Sequence, residues 1–229
     1  MHGQKPPSME EWLSSCEYDD RRRLESLSRL IEGRRILDFG CGAAGFVNKA
    51  RAVARSVAGV EVERRIHEYW NGQLDLYTSL DGLGNDFDVI TSFHVFEHLA
   101  DPRGMLQRLA KHLRSNGRFI LEVPSSDDAL LTLYESEPFQ KFTYWSQHLF
   151  LFNAATMRLL SEQAGLKVIA IEQVQRYPLA NHLYWLSKGL PGGHSTWSFL
   201  ENQQISRAYA HSLASIGKCD TICAHLEKA

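Results

Sequence analysis

The sequence predicts an α/β fold built around a mostly parallel sheet that carries helices on both faces. Strand-like and helix-like segments alternate along most of the chain, and the strand-like runs are too apolar to leave one face in water. A glycine-rich turn follows the first strand-like run, where a nucleotide-like cofactor binds in open parallel sheets. The length of 229 residues and the composition fit a single globular domain, which we predict over residues 1–229.

Each element follows from apolar spacing and from the breakers between segments. A helix is predicted over residues 9–31, with Gly33 as its stop, and Asn153 is expected to cap a later helix. Strands are predicted at 34–40, 56–62, 74–78, 86–93, 118–124, 166–174 and about 220–226, and further helices at 44–55, 63–73, 102–114, 154–164 and about 199–216. Two remaining segments, 125–147 and 176–198, have irregular patterns and are called the lid segments below.

Composition and charge exclude several classes of partner. The formal net charge is −2, so no nucleic acid or membrane surface is expected as a partner, and no run of residues is apolar enough for a membrane span. The four cysteines are too scattered for a disulfide framework, and we expect a cytoplasmic protein. Cys219 and Cys223, near His211 and His225, lie in an alternating pattern typical of a strand, which separates residues four apart too widely for one metal ion.

The stretch ILDFGCGAAGF places Gly40, Gly42 and Gly45 in the spacing G-x-G-x-x-G. Glu61 closes the second strand 21 residues after Gly40, where a carboxylate can bind ribose hydroxyls, so a dinucleotide and another adenosine-bearing cofactor both fit. Asp38 distinguishes them, because its carboxylate would repel a pyrophosphate but attract the amino and sulfonium groups of S-adenosylmethionine. The alternatives are a nicotinamide-dependent oxidoreductase, a cofactor-binding protein without catalysis, and an Asp38 that only caps the loop's own amides.

Three stretches taken together, ILDFGCGAAGF, VAGVEVE and DFDVITSFHVFEHLADP, resemble the class I S-adenosylmethionine-dependent methyltransferases. The resemblance covers roughly residues 20 to 170 and implies a Rossmann-like three-layer sandwich with a seven-stranded sheet of order 3-2-1-4-5-7-6, strand 7 being antiparallel. FHVFEHLADP and SQHLFLFNAATMRLLSEQAGLKV are similar to the branch that includes ubiquinone-type O-methyltransferases and the methyltransferases of bacterial sugar and polysaccharide pathways. S-adenosylmethionine is therefore the expected cofactor.

The resemblance also implies which residues hold that cofactor. They lie at the ends of the first four strands: around the methionine part Asp38, Gly40, Cys41 and Gly42; at the ribose Glu61; at the adenine Ser79 and Leu80; and beside the transferred methyl Ser92, Phe93 and His94. The assignments after the third strand are the loosest, since YTSLDGLG lacks the acidic residue often found there.

Histidines beyond the carboxyl ends of the strands are the candidates for proton removal from a hydroxyl acceptor. His94 and His98 follow the fourth strand, on an expected helix that also places Glu97 on the same face, and His148 follows the fifth strand. We expect these three histidines to be catalytic. A divalent-metal site formed by His94, Glu97 and His98, of the kind the ubiquinone branch suggests, and a purely structural role for the Glu-His pair are the alternatives. No metal is predicted.

The lid segments leave the fifth and sixth strands, on the side of the expected cofactor, so we expect them to bind the acceptor. Both segments mix aromatic rings with hydrogen-bonding groups: Tyr134, Phe139, Phe142, Tyr144 and Trp145 in the first, and Arg176, Tyr177, Asn181, His182, Tyr184, Trp185 and His194 in the second. This mixture favours a hydroxyl of a sugar or nucleotide-linked sugar as the small-molecule acceptor, with a quinone or other aromatic metabolite as the alternative. The aromatics could also serve only to pack the lid onto the domain.

Overall fold

The computed structural model describes residues 6–145 and 147–228. The helices are α1 Met9–Ile31, α2 Gly45–Ala50, α3 Arg64–Trp70, α4 Pro102–His112, α5 Ala129–Thr132, α6 Glu137–Thr143, α7 Ala154–Gln163, α8 Leu179–Lys188, α9 Gly193–Thr196 and α10 Gln203–Ser215. The strands are β1 Arg35–Phe39, β2 Ser56–Val60, β3 Asp75–Tyr77, β4 Phe87–Phe93, β5 Leu113–Pro124, β6 Leu166–Val174 and β7 Thr221–Lys228.

Within the described ranges, seven strands form one sheet in the order β3-β2-β1-β4-β5-β7-β6, with β7 antiparallel to the others. The fold class predicted from the sequence is therefore confirmed. In the parallel registers of β1, Asp38 lies opposite Gly59 of β2 and opposite Thr91 of β4. The carboxyl ends of these strands consequently share one edge of the sheet, which is where a ligand crevice is expected.

The chain divides into two compact units that interleave along the sequence. The first contains residues 6–93, Arg108–Ile120 and 227–228, and the second contains His94–Gln107 and Leu121–Leu226. Each unit is described by itself below. The prediction of one domain over the whole chain stays a prediction.

The first unit is built around apolar side chains of β1, β4 and α1, among them the fully buried Ile31, Ile36 and Ile90. Helix α1 begins with a capping box, in which the Ser8 hydroxyl accepts from Glu11 N–H and the Glu11 carboxylate accepts from Ser8 N–H. Gly33 follows the helix with a φ of 66°, as the predicted stop requires.

The second unit contains both lid segments, and here the expected irregular structure is wrong. The first segment includes α5 and α6, and the second includes α8 and α9. Helix α8 forms because LANHLYWLSK has one face that packs inward, with Trp185 and His182 buried on it. Glycine and proline lie at its ends rather than within it, so they break the pattern only at the helix boundaries.

Several boundaries also differ from the prediction. Helix α4 ends at His112 and β5 begins at Leu113, five residues earlier than expected. Asn116, expected to end the helix, instead lies within β5 with a left-handed φ of 60°, a conformation that asparagine adopts more readily than most residues. Helix α7 begins where predicted, because the Asn153 side chain accepts from Thr156 N–H at 2.9 Å.

No helix among residues 6–145 and 147–228 is both long and apolar enough to cross a membrane.

Candidate active site

The glycine loop connects β1 to α2 in the first unit. Gly40 and Gly42 have φ values of 71° and 51°, in the left-handed region that glycine adopts without steric cost. The backbone N–H groups of Gly40 and Cys41 both donate to the carbonyl of Val60, at 2.9 and 3.1 Å. The turn is thereby fixed against the end of β2.

Glu61 fastens the same turn from the other side. Its carboxylate accepts from Gly42 N–H at 3.0 Å, and also from the N–H groups of Val62 and Glu63 at 2.7 and 3.1 Å. A carboxylate offers about four acceptor positions, so three backbone donors leave room for one further donor, such as a ligand hydroxyl.

Asp38 lies deeper than its expected place at the mouth of the loop. Its side chain is buried, and it accepts a hydrogen bond of 2.7 Å from the Thr91 hydroxyl. Burial raises the pKa of Asp38 to about 7, although the hydrogen bond from Thr91 and the charge of Arg23 act in the opposite direction. Among the described residues the Thr91 hydroxyl donates to this carboxylate and none of the loop's own amides does, so the capping alternative is not supported.

Helix α1 brings two charged residues to the loop that the sequence reasoning missed. Asp20 and Arg23 are both buried, and they form an ion pair with an N–O distance of 3.6 Å. An Asp20 oxygen lies 2.1 Å from where a Cβ on Gly45 would stand, so any larger residue at that position would displace the Asp20 carboxylate. The Arg23 guanidinium lies over the Phe93 ring, 4.4 Å from its centroid.

A sequence signal for these two charges does exist. Asp20, Arg23, Leu27 and Ile31 recur at the spacing of one helix face, and the last two are buried apolar residues. A charged residue on the apolar face of a helix is buried, and buried charges require partners. Burial raises the pKa of Asp20 to about 6, against the lowering influence of Arg23.

The remaining predicted cofactor residues in the first unit also lie at strand ends. The Ser92 hydroxyl donates to the carbonyl of Phe39 at 3.0 Å, and burial raises the pKa of the Cys41 thiol. Leu80 is buried after β3, whereas Ser79 is exposed and bonds to the Asp81 carboxylate at 3.2 Å. Their contacts with the cofactor stay predictions.

His94 opens the second unit and is held between two buried glutamates. One ring nitrogen lies 3.5 Å from a Glu97 oxygen and the other 3.3 Å from a Glu122 oxygen. Its backbone N–H donates to the carbonyl of Glu122 at 2.8 Å, and its φ is 55°, a strained value for a residue other than glycine or asparagine. The expected helix from His94 is wrong, since only a 3₁₀ turn at Phe96–His98 forms.

His98 and His148 lie against each other in the same unit, with ring centroids 5.0 Å apart. Ligand atoms of Glu97, His98 and His148 all lie within 4.8 Å of one another. Burial lowers the pKa of His148, which favours the neutral imidazole at neutral pH. The structure thus groups His148 with Glu97 and His98, a contact between residues about fifty positions apart that no sequence spacing indicates.

The backbone of Glu97 fixes that contact. Its carbonyl accepts from the N–H groups of Leu149 and Phe150, at 2.8 and 3.2 Å. Among the described residues, neither oxygen of the Glu97 side chain, which is 1% exposed, has a hydrogen-bond partner, and the nearest nitrogen is His94 Nδ1 at 3.5 Å. The residues after His148 are therefore held to the turn that follows β4 by the Glu97 backbone and not by its carboxylate.

A family model described as "Methyltransferase domain" matches residues 10–171. This match spans the glycine loop, Glu61, the three candidate histidines and β6 up to Ile171. The chain belongs to this methyltransferase family. This membership agrees with the expected S-adenosylmethionine cofactor, and it supports neither the oxidoreductase nor the non-catalytic alternative.

Among curated relatives, the mitochondrial ubiquinone biosynthesis O-methyltransferase of Schizosaccharomyces pombe is 31% identical over 127 residues. That match covers 49% of this chain and 46% of the relative, so the chain spans about half the length of the yeast protein. The ubiquinone biosynthesis O-methyltransferase of Aeromonas salmonicida is 26% identical over 167 residues, covering 65% of this chain and 69% of the relative.

Solved structures show the same fold at lower identity. An S-adenosylmethionine-dependent methyltransferase from Archaeoglobus fulgidus has a TM-score of 0.62 at 16% identity, covering 95% of this chain and 99% of that one. One from Aquifex aeolicus has a TM-score of 0.59 at 13% identity, covering 99% and 100%.

Proposed function

We propose that this methyltransferase transfers the methyl group to a hydroxyl of a small aromatic acceptor that also carries an apolar portion. The observation that carries the proposal is the orientation of the lid side chains. The names of the curated relatives, which are O-methyltransferases of ubiquinone biosynthesis, point to the same class of acceptor. A sugar acceptor, favoured from the sequence, has no support from these relatives.

Two polar groups of the lid segments are buried, while several large apolar or aromatic side chains are exposed. Asn181 and His182, which favoured a sugar in the sequence, are 5% and 1% exposed. The exposed apolar and aromatic side chains include Phe142, Tyr144, Trp145, Leu183, Leu186 and Leu190. An apolar surface of this kind gains free energy by covering apolar ligand area, whereas sugar hydroxyls would lack partners on it.

Trp145 connects this surface to the histidine cluster. Its ring lies 5.7 Å from that of His148, at a steep angle, and it is 47% exposed. Phe142, three residues earlier, contacts Trp185 with centroids 5.2 Å apart. An aromatic acceptor stacked on Trp145 would thus have its hydroxyl beside the histidine cluster, whose side chains can accept the hydroxyl proton.

The residues of the glycine loop fit the methyl donor by charge. When bound, S-adenosylmethionine supplies a methyl carbon attached to a cationic sulfur. The charges of its amino and carboxylate groups cancel, so the sulfur gives a net charge of about +1. Two buried carboxyls, Asp20 and Asp38, face one buried cation, Arg23. We assign the methionine carboxylate to Arg23, the cationic groups to the two carboxyls, and a ribose hydroxyl to Glu61.

Transfer in line from sulfur requires that the acceptor oxygen be aligned and lose its proton. Both ring nitrogens of His94 already face carboxylates, so we assign it to holding Glu97 and Glu122 rather than to proton removal. We therefore assign removal of the hydroxyl proton to the group formed by His98, His148 and Glu97. The general-base roles of His98 and His148 stay predictions.

The test is an assay of the purified protein with methyl-labelled S-adenosylmethionine and a panel of acceptors. The panel contains an alkylated catechol, the same catechol without its chain, and a nucleotide-linked hexose. We expect labelled methyl ether on the alkylated catechol, with kcat/KM at least tenfold above that for the other two. Labelling of the nucleotide-linked hexose with none on the catechols would show that the acceptor proposal is wrong.

A further inference from the structure

We propose that Trp12 of α1 is a cofactor-binding residue that covers the ribose of S-adenosylmethionine, and that Arg65 of α3 positions the Trp12 ring there. Neither residue is among those predicted from the sequence. The inference rests on the assignment of a ribose hydroxyl to Glu61. It is independent of the acceptor, because it concerns only how the methyl donor is enclosed within the first unit.

One face of α1 runs along the carboxyl ends of β1 and β4. Trp12 and Arg23 are eleven residues apart on this helix, close to three full turns, so they share that face. Trp12 Cζ2 lies 3.6 Å from where a Cβ on Gly42 would stand, and the Arg23 guanidinium lies 4.4 Å from the centroid of the Phe93 ring. Gly42 follows β1 and Phe93 ends β4. Helix α1 therefore passes over the edge of the sheet where the cofactor is expected.

Trp12 lies at the part of the loop that Glu61 holds. The Glu61 carboxylate accepts from Gly42 N–H at 3.0 Å, and Gly42 is the loop residue that the Trp12 ring approaches. Arg23, assigned above to the methionine carboxylate, begins about 16 Å farther along α1 at a rise of about 1.5 Å per residue. The ring thus lies toward the ribose end of the loop. A partly exposed indole gains free energy there by covering apolar ligand surface.

Arg65 holds the Trp12 ring from the side of α3. Its guanidinium lies over the ring, 5.2 Å from the centroid, and its Nη1 donates to the carbonyl of Pro7 at 2.7 Å. Its Nε donates to the carboxylate of Glu63, two residues after Glu61. Because a cation is attracted to an aromatic face, these contacts join the start of α1 to the segment that carries the ribose carboxylate. Arg65 is therefore a positioning residue for Trp12.

The test is a calorimetric titration of the purified protein with S-adenosylmethionine and with S-adenosylhomocysteine, which share the ribose and differ in the charge on sulfur. Trp12→Leu should weaken the binding of both ligands about 20-fold, because it removes ring area from a part that both contain. Trp12→Phe keeps an aromatic ring and should lose no more than about threefold. A loss confined to S-adenosylmethionine would place the ring at the sulfonium and overturn the ribose contact.

The role of Arg65 is tested against that of its neighbour. Arg65→Gln should weaken the binding of both ligands about fivefold, and Arg65→Lys, which retains a cation near the ring, should recover part of that affinity. Arg64→Gln is the matched control, since Arg64 is exposed on the same helix and paired with Glu68, and it should bind as the wild type does. Equal losses in Arg65→Gln and Arg64→Gln would show that the general charge on α3, and not the position of Trp12, matters.

Tryptophan fluorescence gives a readout that a purely structural role for Trp12 would not change. The difference between the emission of the wild type and that of Trp12→Phe isolates Trp12. S-adenosylhomocysteine should shift this difference spectrum to shorter wavelength, because the ligand replaces water at a partly exposed ring. The corresponding difference for Trp197→Phe, a substitution in the second unit, should not shift.

Absence of the shift for Trp12, or a Trp12→Leu affinity within about twofold of the wild type, would overturn the proposal. A Glu61→Gln protein with wild-type affinity would remove the ribose assignment and with it the proposal. A failed acceptor assay would leave both standing, since no acceptor enters these measurements. Circular dichroism and the milder Trp12→Phe verify that lost binding is not lost folding.

Discussion

The glycine loop of the first unit and the histidine cluster of the second differ in how their charges are satisfied. At the loop, Glu61 accepts three backbone N–H groups and Asp38 accepts from Thr91. In the cluster, neither oxygen of Glu97 has a hydrogen bond among the described residues, and its nearest partners are His94 Nδ1 at 3.5 Å and His98 Nε2 at 3.9 Å. The carboxylates of the loop are thus satisfied by hydrogen bonds, whereas Glu97 depends on longer contacts with histidines.

The largest expected effect tests whether the hydrogen bond from Thr91 is enough to stabilise the ionised carboxylate of Asp38 in the folded protein. A folded-state pKa raised to about 7 means that its stabilising contribution is present below the unfolded value near 3.8 and is lost as pH rises through 7. Asp38→Asn should therefore gain stability relative to the wild type between pH 4 and pH 8. At about 1.4 kcal/mol per unit of pKa difference, the expected gain is on the order of 2–4 kcal/mol.

Urea denaturation of both proteins across this range measures that difference. Arg23, Asp20 and Glu61 also act electrostatically on Asp38, so Asp20→Asn is measured in parallel. If the difference in unfolding free energy between the wild type and Asp38→Asn does not change with pH, the pKa of Asp38 is not raised in the folded state. Saturating S-adenosylmethionine should make this difference in unfolding free energy depend less on pH, because the proposed cationic ligand stabilises the ionised carboxylate.

A second prediction concerns Arg23, the one cation in the proposed set around the methionine end. Arg23→Met should weaken S-adenosylmethionine binding about 100-fold, the loss expected from removing a charge-assisted pair at a buried site. Arg21→Met is the matched control, since Arg21 is on the same helix, exposed and paired with Glu17. Calorimetric affinities that fall equally in both variants would show that general charge on α1, rather than the position of Arg23, matters.

Gly45→Ala should have a smaller effect on the same region. The added methyl group would displace the Asp20 carboxylate, whose oxygen lies 2.1 Å from the new Cβ position. We expect about tenfold weaker donor binding and about 1–3 kcal/mol less stability. Adding Asp20→Ala to Gly45→Ala should recover much of the lost stability in urea denaturation. A double variant no more stable than Gly45→Ala would contradict the contact.

The smallest expected effect lies in the second unit. Trp145→Ala should raise the acceptor KM about fivefold with little change in kcat, because stacking binds the acceptor without entering the chemistry. Leu159→Ala, at an exposed position on α7 outside the lid segments, is the control for general loss of apolar surface. A lowered kcat at unchanged KM would place Trp145 in the reaction itself.

The same contrast explains how much of the molecule could be predicted. The strands themselves, the glycine loop and Glu61 are local features, because each follows from apolar runs and from residues at strand ends. The strand order is not local, and it was predicted from the family resemblance. The lid helices were missed because the glycines and prolines of residues 176–198 look like an irregular segment, although they flank α8 and α9. The pairing of His148 with Glu97 required the chain after α6 to return to the turn after β4, and no local pattern encodes that return.

Arg23 and Asp20 are a third case. Their spacing on one helix face was visible in the sequence, but their place beside the glycine loop was not inferred from it. Their spacing with Leu27 and Ile31 places them on the buried face of α1. Charges that interrupt an apolar helix face are a specific sign of a site, since burial of a charge is expensive without a function or a partner.

The two hydrogen bonds from Leu149 and Phe150 to the Glu97 carbonyl have a consequence for unfolding. They close a loop of about fifty residues, and the two donating residues lie outside any helix or strand. Segments outside the regular elements open locally at a lower free energy than core strands do. The amides of Leu149 and Phe150 should therefore exchange with deuterium well before those of β1 and β4. As denaturant is increased, the contact between Glu97 and the residues after His148 should therefore be lost while most of the sheet is still folded.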